Sequence, residues 1–583
     1  MKSKRIIIVI CAFIGVFVLS ACDMLTSTSF MEEPETIDIN VDDIFSDRTS
    51  AESFLWEVYR TTVPSGFSYN WTVHTGMYAS MLMAATDEGD VYDAWPSSNA
   101  HNTGNWGPTD AEMGQENNFG MNWKGIRNAN IFLENIDNVP NIPGAEKEQM
   151  KAEARVLRGL VYQEMLKRYG ALPIVDEVLV AAGDILIPRA TYEETVEFIV
   201  HDVDGAADLL PDSYSSSYLG RITKGAALAL KGRVLLYAAS PLSNTNSPYM
   251  PEHSELTGYG NFDINRWQRA ADANKAVLDW AAEGNASLVD DTEDPKENYF
   301  RAIEHKDNSE MLLANQGFGW WDQWGPEFGQ FTMPRDIYGG WYGHGVTLNH
   351  AQKYWTVDGQ DQLWPDSGPY EEFVEKMEEM EPRFQYSVYY SGSAFDDQHG
   401  VRHMYTSIDG TGMNGEPFNG VGYMRKFLAG RTGGSGQQNW PVFRLAEFYL
   451  NYAEALNEVS PMDPDIFWAL NMIRDRAGLP QVSANTPGYS TQEELRESIR
   501  RERAVELAFE EHRFFDVRRW MIAEEEGVMT GDMWGLNIYE LSDGTLEYRK
   551  EVFEKRVFQP HMYFYPFPQE EINKRYLVQN PGW

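Results

Sequence analysis

Residues 315–342 read NQGFGWWDQWGPEFGQFTMPRDIYGGWY, and nine of these 28 are aromatic, against 13% for the whole chain. Six glycines and two prolines interrupt the stretch, so its rings do not form one amphipathic helical stripe. Tryptophan and tyrosine present large, rigid faces at low entropic cost. Such faces stack on the C–H surfaces of sugar rings while polar neighbours fix the hydroxyls. Trp320, Trp321, Trp324, Trp341 and Tyr342 are the platform candidates, with Asp322, Gln323 and Arg335 as the polar ones. The competing role for any single ring is to pack its own loop, because most large aromatic side chains are buried.

A different chemistry is suggested by residues 499–520, IRRERAVELAFEEHRFFDVRRW, where Arg and Glu interleave densely. Leu495, Ile499, Ala504, Val505, Ala508 and Phe509 recur at helical spacing, which predicts a helix with one buried face over 492–511. Residues three and four apart share that face, so Arg503, Glu502 and Glu506 are placed to pair. A lone ion beside a buried stripe costs several kcal/mol, so these charges read as an internal salt-bridge lattice and not as a catalytic set. Weaker constellations point nowhere definite. A glycosidase needs two carboxylates about 5–9.5 Å apart, and no motif singles out a pair among 88 acidic residues. His399 and His403 lie near Asp396 and Asp397, but Gly400 favours a loop over a helical zinc site. Asp358-Gly359-Gln360-Asp361 lacks the full spacing of a calcium loop. No cofactor is called for.

These segments need a frame, and the chain supplies helices. Helical periodicity predicts elements at 49–62, 122–138, 147–169, 192–210, 223–239, 267–282, 443–458 and 465–477, in addition to 492–511. In the third, Val156, Leu157, Leu160, Val161 and Met165 form one apolar stripe, and Gly170 and Pro173 end it. Thr191 with Glu194 has the form of a capping box. Alanine-rich pairs with small/large alternation suggest tetratricopeptide-like repeats interrupted by long insertions. The expected fold is mainly α: a scaffold chiefly at 120–285 and 443–526, with two loop-rich insertions at 64–119 and 315–439. Loops of such length are usually functional.

At the N-terminus, Lys2, Lys4 and Arg5 precede an apolar run over 6–19, and Leu19-Ser20-Ala21-Cys22 follows. This has the form of a lipoprotein signal peptide (1–21), with Cys22 as the acylated first residue and 22–48 as a tether. Cys11 and Cys22 are the two cysteines, so the body after them has no thiol chemistry or cysteine metal site. Losing residues 1–21 removes three cations and no carboxylate, taking the formal charge from −40 to −43. Such acidity argues against nucleic acid as a partner.

Several blocks carry a family resemblance. Residues 123–130 (WKGIRNAN), 152–158 (AEARVLR), 220–227 (GRITKGAA), 471–479 (NMIRDRAGL), 565–568 (YPFP) with Glu571-Ile572, and the closing 579–583 (QNPGW) resemble, in order, the motifs of the SusD/RagB family of surface nutrient-binding lipoproteins. The charged run resembles that family's C-terminal signature, with Glu511 where glycine is usual, and Phe567 stands where isoleucine is usual. The resemblance implies about four tetratricopeptide-like helix pairs over a single domain, 49–583. It also implies non-catalytic capture of a glycan and its delivery to a SusC-like TonB-dependent outer-membrane transporter. The peptide capture of the RagB branch is the rival binding role, and a secreted glycoside hydrolase the rival from another class. Thr86-Asp87-Glu88 resembles the family's S-D-E element, whose following loop contributes binding residues. Asp87, Tyr92, Trp95, Asn99, His101, Asn102 and Trp106 thereby join the candidates.

Overall fold

Helix α1 (Arg48–Thr62) opens on Asp47, whose carboxylate accepts the Thr49 and Ser50 N–H groups at 2.8 and 3.1 Å. It begins the computed structural model's helical body. The structure describes residues 41–583 apart from 67–79, 94–95, 111–118, 180–185, 307, 320, 323–324, 327–331, 333, 335–336, 338–342, 397–398, 410–412, 415–418 and 429–436. Among the helices that follow in the described residues, eight build the scaffold: α2 (Phe119–Asn135), α3 (Gly144–Tyr169), α4 (Tyr192–Asp204), α5 (Lys224–Ala239), α6 (Ile264–Trp280), α7 (Leu445–Val459), α8 (Pro464–Arg476) and α9 (Gln492–Glu506). From α3 to α9 each packs on the helix before it, which makes four successive pairs, with residues 281–444 inserted inside the third. The expected mainly α, repeat-like scaffold is therefore the observed one.

Local chemistry explains most boundaries. The Thr191–Glu194 capping box forms in both directions at the start of α4. Gly170 ends α3 with a φ of 71°, a conformation open to glycine. The predicted stripe of α3, Val156 to Met165, is buried. An amide relay stitches the pairs together. Asn274 of α6 donates to the Gly232 carbonyl of α5 at 3.1 Å, Asn451 of α7 donates to Asn274 at 3.0 Å, and Arg503 of α9 donates to Asn451 at 2.6 Å.

The charged run is an ion lattice, but its partners are remote. Glu506 accepts from Arg383, Arg444 and Arg476; Glu310 from Arg444 and Arg476; Glu502 from Arg383 and Arg474; and Glu510 from Arg444 and Lys426. With Glu381 on Arg383, five cations face five carboxylates, all buried, and the charges balance. Arg503, placed by spacing to pair with Glu506, instead pairs with Asp516 at 2.7 Å. The helix expected over 492–511 also stops earlier, at Glu506. Phe509 and Glu511 take φ of 65° and 69°, and a new helix, α10, runs from His512 to Arg519. Tertiary hydrogen bonds fix this break: Phe509 N–H donates to Glu88 at 3.0 Å, and Glu511 accepts the Leu82 N–H at 2.9 Å. Glu511 thus sits in a left-handed conformation where the resembled family has glycine.

The insertions are more ordered than expected. Four short strands, β1 (Gly89–Val91), β3 (His344–Val346), β5 (Gly422–Met424) and β4 (Val388–Tyr389), form one sheet in that order. Strands β2 (Met311–Gly319) and β6 (Gln437–Arg444) pair antiparallel at the base of the larger insertion. A long hairpin, β7 (Gly531–Glu540) with β8 (Leu546–Arg556), was not expected from the sequence. Its Asp543-Gly544 tip, with Gly544 at φ 83°, is the turn signal that marks it.

Candidate functional site

Strand β1 feeds directly into the segment beginning at Tyr92, and β3 receives the chain leaving the aromatic 315–342 stretch. They pair antiparallel with Gly89 opposite Val346 and Val91 opposite His344. An antiparallel register of this kind puts the exit of β1 and the entrance of β3 at the same sheet edge. Both aromatic segments are therefore rooted side by side. Gly345 allows this packing: a Cβ there would lie 2.1 Å from the Asn419 carbonyl oxygen.

At this edge Tyr92 is 54% exposed. Asn99, on a one-turn helix (Ser98–Asn102), donates its amide to the Asp93 carbonyl at 2.8 Å, closing the loop on itself. Trp321 and Asp322 lie on a two-residue strand paired with Gly325–Pro326. Trp95, Trp320, Trp324, Arg335, Trp341, Tyr342 and Gln323 fall outside the described residues.

Other sequence candidates are structural supports. Asp87 is fully buried and meets Arg513 through both oxygens at 2.8 Å, with Lys353 at 3.3 Å. Burial alone would raise its pKa, but the Arg513 and Lys353 charges outweigh it and hold the carboxyl well below the usual carboxylate range. It anchors the loop to α10. His101 stacks on Trp106 at 4.1 Å between centroids, and Trp106 packs against Tyr565 and the terminal Trp583. Asn102 donates to the Ala84 carbonyl at 3.0 Å and accepts Val557 N–H at 2.9 Å. These three pin the loop to the C-terminal segment and the β8 exit.

The sequence did not single out Asp90 and Asn419. Asn419 donates to the Asp90 carboxylate at 2.6 Å, and Arg556 approaches its other oxygen at 3.4 Å. Burial raises the Asp90 pKa to about 6, against the lowering effect of Arg556. The pair ties β1 to the turn before β5. Its members are 329 residues apart, so no local pattern marks them. Beside them, Glu88 is buried with its pKa pushed up by burial to about 8, and its Oε2 has no hydrogen-bond partner among the described residues.

Comparison with known proteins places this architecture. Residues 307–583 match the model of the SusD family, and residues 76–236 match a model described as starch-binding associating with outer membrane. SusD-like protein P2 of Formosa agariphila is 26% identical over 387 residues, 64% of this chain and 65% of that protein, so the match spans just under two thirds of the relative's length. The crystal structure of a SusD-like protein from Bacteroides fragilis superposes with a TM-score of 0.75 at 26% identity, covering 94% of this chain and all of that one. A laminarin-binding SusD-like protein shares the fold with a TM-score of 0.57 at 21% identity, over 92% of this chain and all of the other. With its paired-helix scaffold, its inserted sheet and its ordered motif blocks from Trp123 to Trp583, the chain belongs to the SusD/RagB family.

Proposed function

We propose that this protein binds a glycan non-catalytically at the outer face of the outer membrane, held there by a lipid on Cys22, and passes it to a SusC-like TonB-dependent transporter. The observation that carries the reading is the β1–β3 register, which roots the two aromatic segments at one sheet edge beside the half-exposed ring of Tyr92. In this role Trp95, Trp320, Trp321, Trp324, Trp341 and Tyr342 supply stacking faces, and Asn99 and Arg335 supply hydrogen bonds to hydroxyls. The starch-binding, outer-membrane description of one matching family model supports the ligand class, as does the laminarin-binding description of a structural relative. Asp87 keeps its place in the reading only as the anchor of the loop.

A few stacked rings with hydrogen bonds around them give affinities of about micromolar or weaker. Isothermal titration against starch, laminarin, xylan and mannan oligosaccharides is expected to show saturable binding to at least one, without product release. Trp320→Ala, Trp321→Ala and Trp95→Ala should each weaken binding at unchanged melting temperature. Release of shorter sugars on incubation, or saturable binding of peptides alone, would refute the proposal.

A further inference from the structure

Arg221 lies among three aromatic rings on the scaffold. Its guanidinium carbon is 5.0 Å from the Tyr214 centroid, 5.5 Å from Tyr218 and 5.7 Å from Trp56. Beneath it the fully buried Glu153 accepts Arg221 Nε at 2.9 Å and Nη2 at 2.5 Å, together with the hydroxyls of Tyr59 at 2.6 Å and Tyr214 at 3.2 Å. Tyr59 in turn accepts the Ile222 N–H at 2.8 Å and packs its ring 5.4 Å from Trp56. The Arg221–Glu153 pair joins two of the sequence blocks, 152–158 and 220–227, so it fixes the rings from below.

Above this rigid base the rings face water. Trp56 and Tyr218 are each 43% exposed. A Trp and a Tyr clustered around one cation, backed by a buried carboxylate, form a preorganised face and not a loose apolar patch. Glu153 takes Arg221 Nε and Nη2, and among the described residues Nη1 has no hydrogen bond, which leaves a donor for a hydroxyl oxygen. That combination of ring faces with a fixed donor suits a pyranose better than an apolar surface.

The face also adjoins the larger insertion. A side chain at Gly220 would lie 3.1 Å from the Gln316 carboxamide, and Asn315 donates to the Val63 carbonyl just after α1 at 3.0 Å. Gln316 is on β2, four residues before the aromatic segment continues at 320.

We propose that Trp56, Tyr218 and Arg221 form a second carbohydrate-stacking subsite that holds distal units of a long glycan whose nearer units occupy the β1–β3 edge. The subsite rests on the glycan reading given above. The test uses detergent-solubilised full-length protein with laminarin, soluble starch and xylan, each as polymer and as tetrasaccharide. Trp56→Ala and Tyr218→Ala should weaken polymer binding by about 2–10-fold each, leave tetrasaccharide binding unchanged and keep the melting temperature. In the wild type, hydroxyl-radical footprinting should show Trp56 and Tyr218 protected by polymer but not by tetrasaccharide, a readout that does not depend on any variant folding. Unchanged polymer affinity with no protection overturns the subsite while leaving the primary face standing, provided Trp320→Ala abolishes binding. Equal losses for polymer and tetrasaccharide also overturn it. Failure of the wild type to bind any of the probes overturns both readings.

Discussion

Replacing Glu506 with alanine removes one carboxylate and leaves three guanidiniums, Arg383, Arg444 and Arg476, facing a void in the buried lattice. Burial would raise the Glu506 pKa, but the Arg476, Arg444 and Arg383 charges outweigh it and hold it well below the usual carboxylate range, so the wild-type group is ionised at neutral pH. Breaking a buried ion set by deleting one partner costs about 3–5 kcal/mol, because the remaining charge is uncompensated. With an unfolding entropy of about 2.1 cal/mol/K per residue over 583 residues, that corresponds to a melting-temperature drop of roughly 2–4 °C if the chain unfolds as one unit. Differential scanning calorimetry at pH 7 measures it, with the exposed helix-cap variant Glu494→Ala as the comparison for an ordinary charge loss. Glu506→Gln should fall between the two, since it keeps the shape and one acceptor while removing the charge. Glycan affinity of the folded fraction should stay within about twofold, because Glu506 lies in the lattice and not at the sheet edge. A melting temperature within a fraction of a degree of wild type would refute the lattice argument. Loss of binding at full stability would refute the separation of scaffold from site.

Three further outcomes follow from the same packing. Glu88 has its folded pKa raised by burial to about 8, above its unfolded value near 4.5, so its contribution to stability is complete below about pH 4.5 and is lost as pH rises toward 8; Glu88→Gln should flatten the melting-temperature profile across pH 5–8, and an unchanged slope would sink the assignment. Asp87→Asn leaves Arg513 and Lys353 without their carboxylate and should cost about 3–5 kcal/mol, with hydrogen exchange rising in residues 86–103; no change in exchange there would mean that the pair does not anchor the loop. Trp106→Ala empties the space between His101, Tyr565 and Trp583 and should cost about 3–5 kcal/mol in denaturant unfolding, with weakened glycan binding through loss of loop order; wild-type affinity in this variant would show that the loop is held by other contacts.

Much of the scaffold was readable from periodicity because its helices carry buried stripes and some have a local start or stop signal, as with Thr191 and Gly170. The break after Glu506 was not readable, since it depends on hydrogen bonds from residues 82 and 88, more than 400 positions away. The same distance hid the lattice partners: local spacing offered Glu506 a neighbour in Arg503, while the fold supplied Arg383, Arg444 and Arg476. Sequence credentials did not separate the candidate residues one from another. Tyr92, His101, Asn102 and Trp106 have similar sequence credentials, but the first is exposed and the others are buried in the anchoring of the loop. Asp87 shows why: a carboxylate in a polar segment looks like a ligand group until Arg513 is found across the fold.

The β1–β3 sheet also has a kinetic consequence. Its pairing joins Gly89 to Val346 and Val91 to His344, across the whole stretch of chain between the two strands, whereas the helices of the scaffold pack on their predecessors in the chain. Closing so long a loop has a large entropic cost before the contact rewards it, so non-local pairings of this kind form slowly. On refolding, helical circular dichroism should therefore recover first and ligand capture afterwards. The newly made chain is expected to pass through an interval in which it is compact and helical while the β1–β3 edge is not yet assembled.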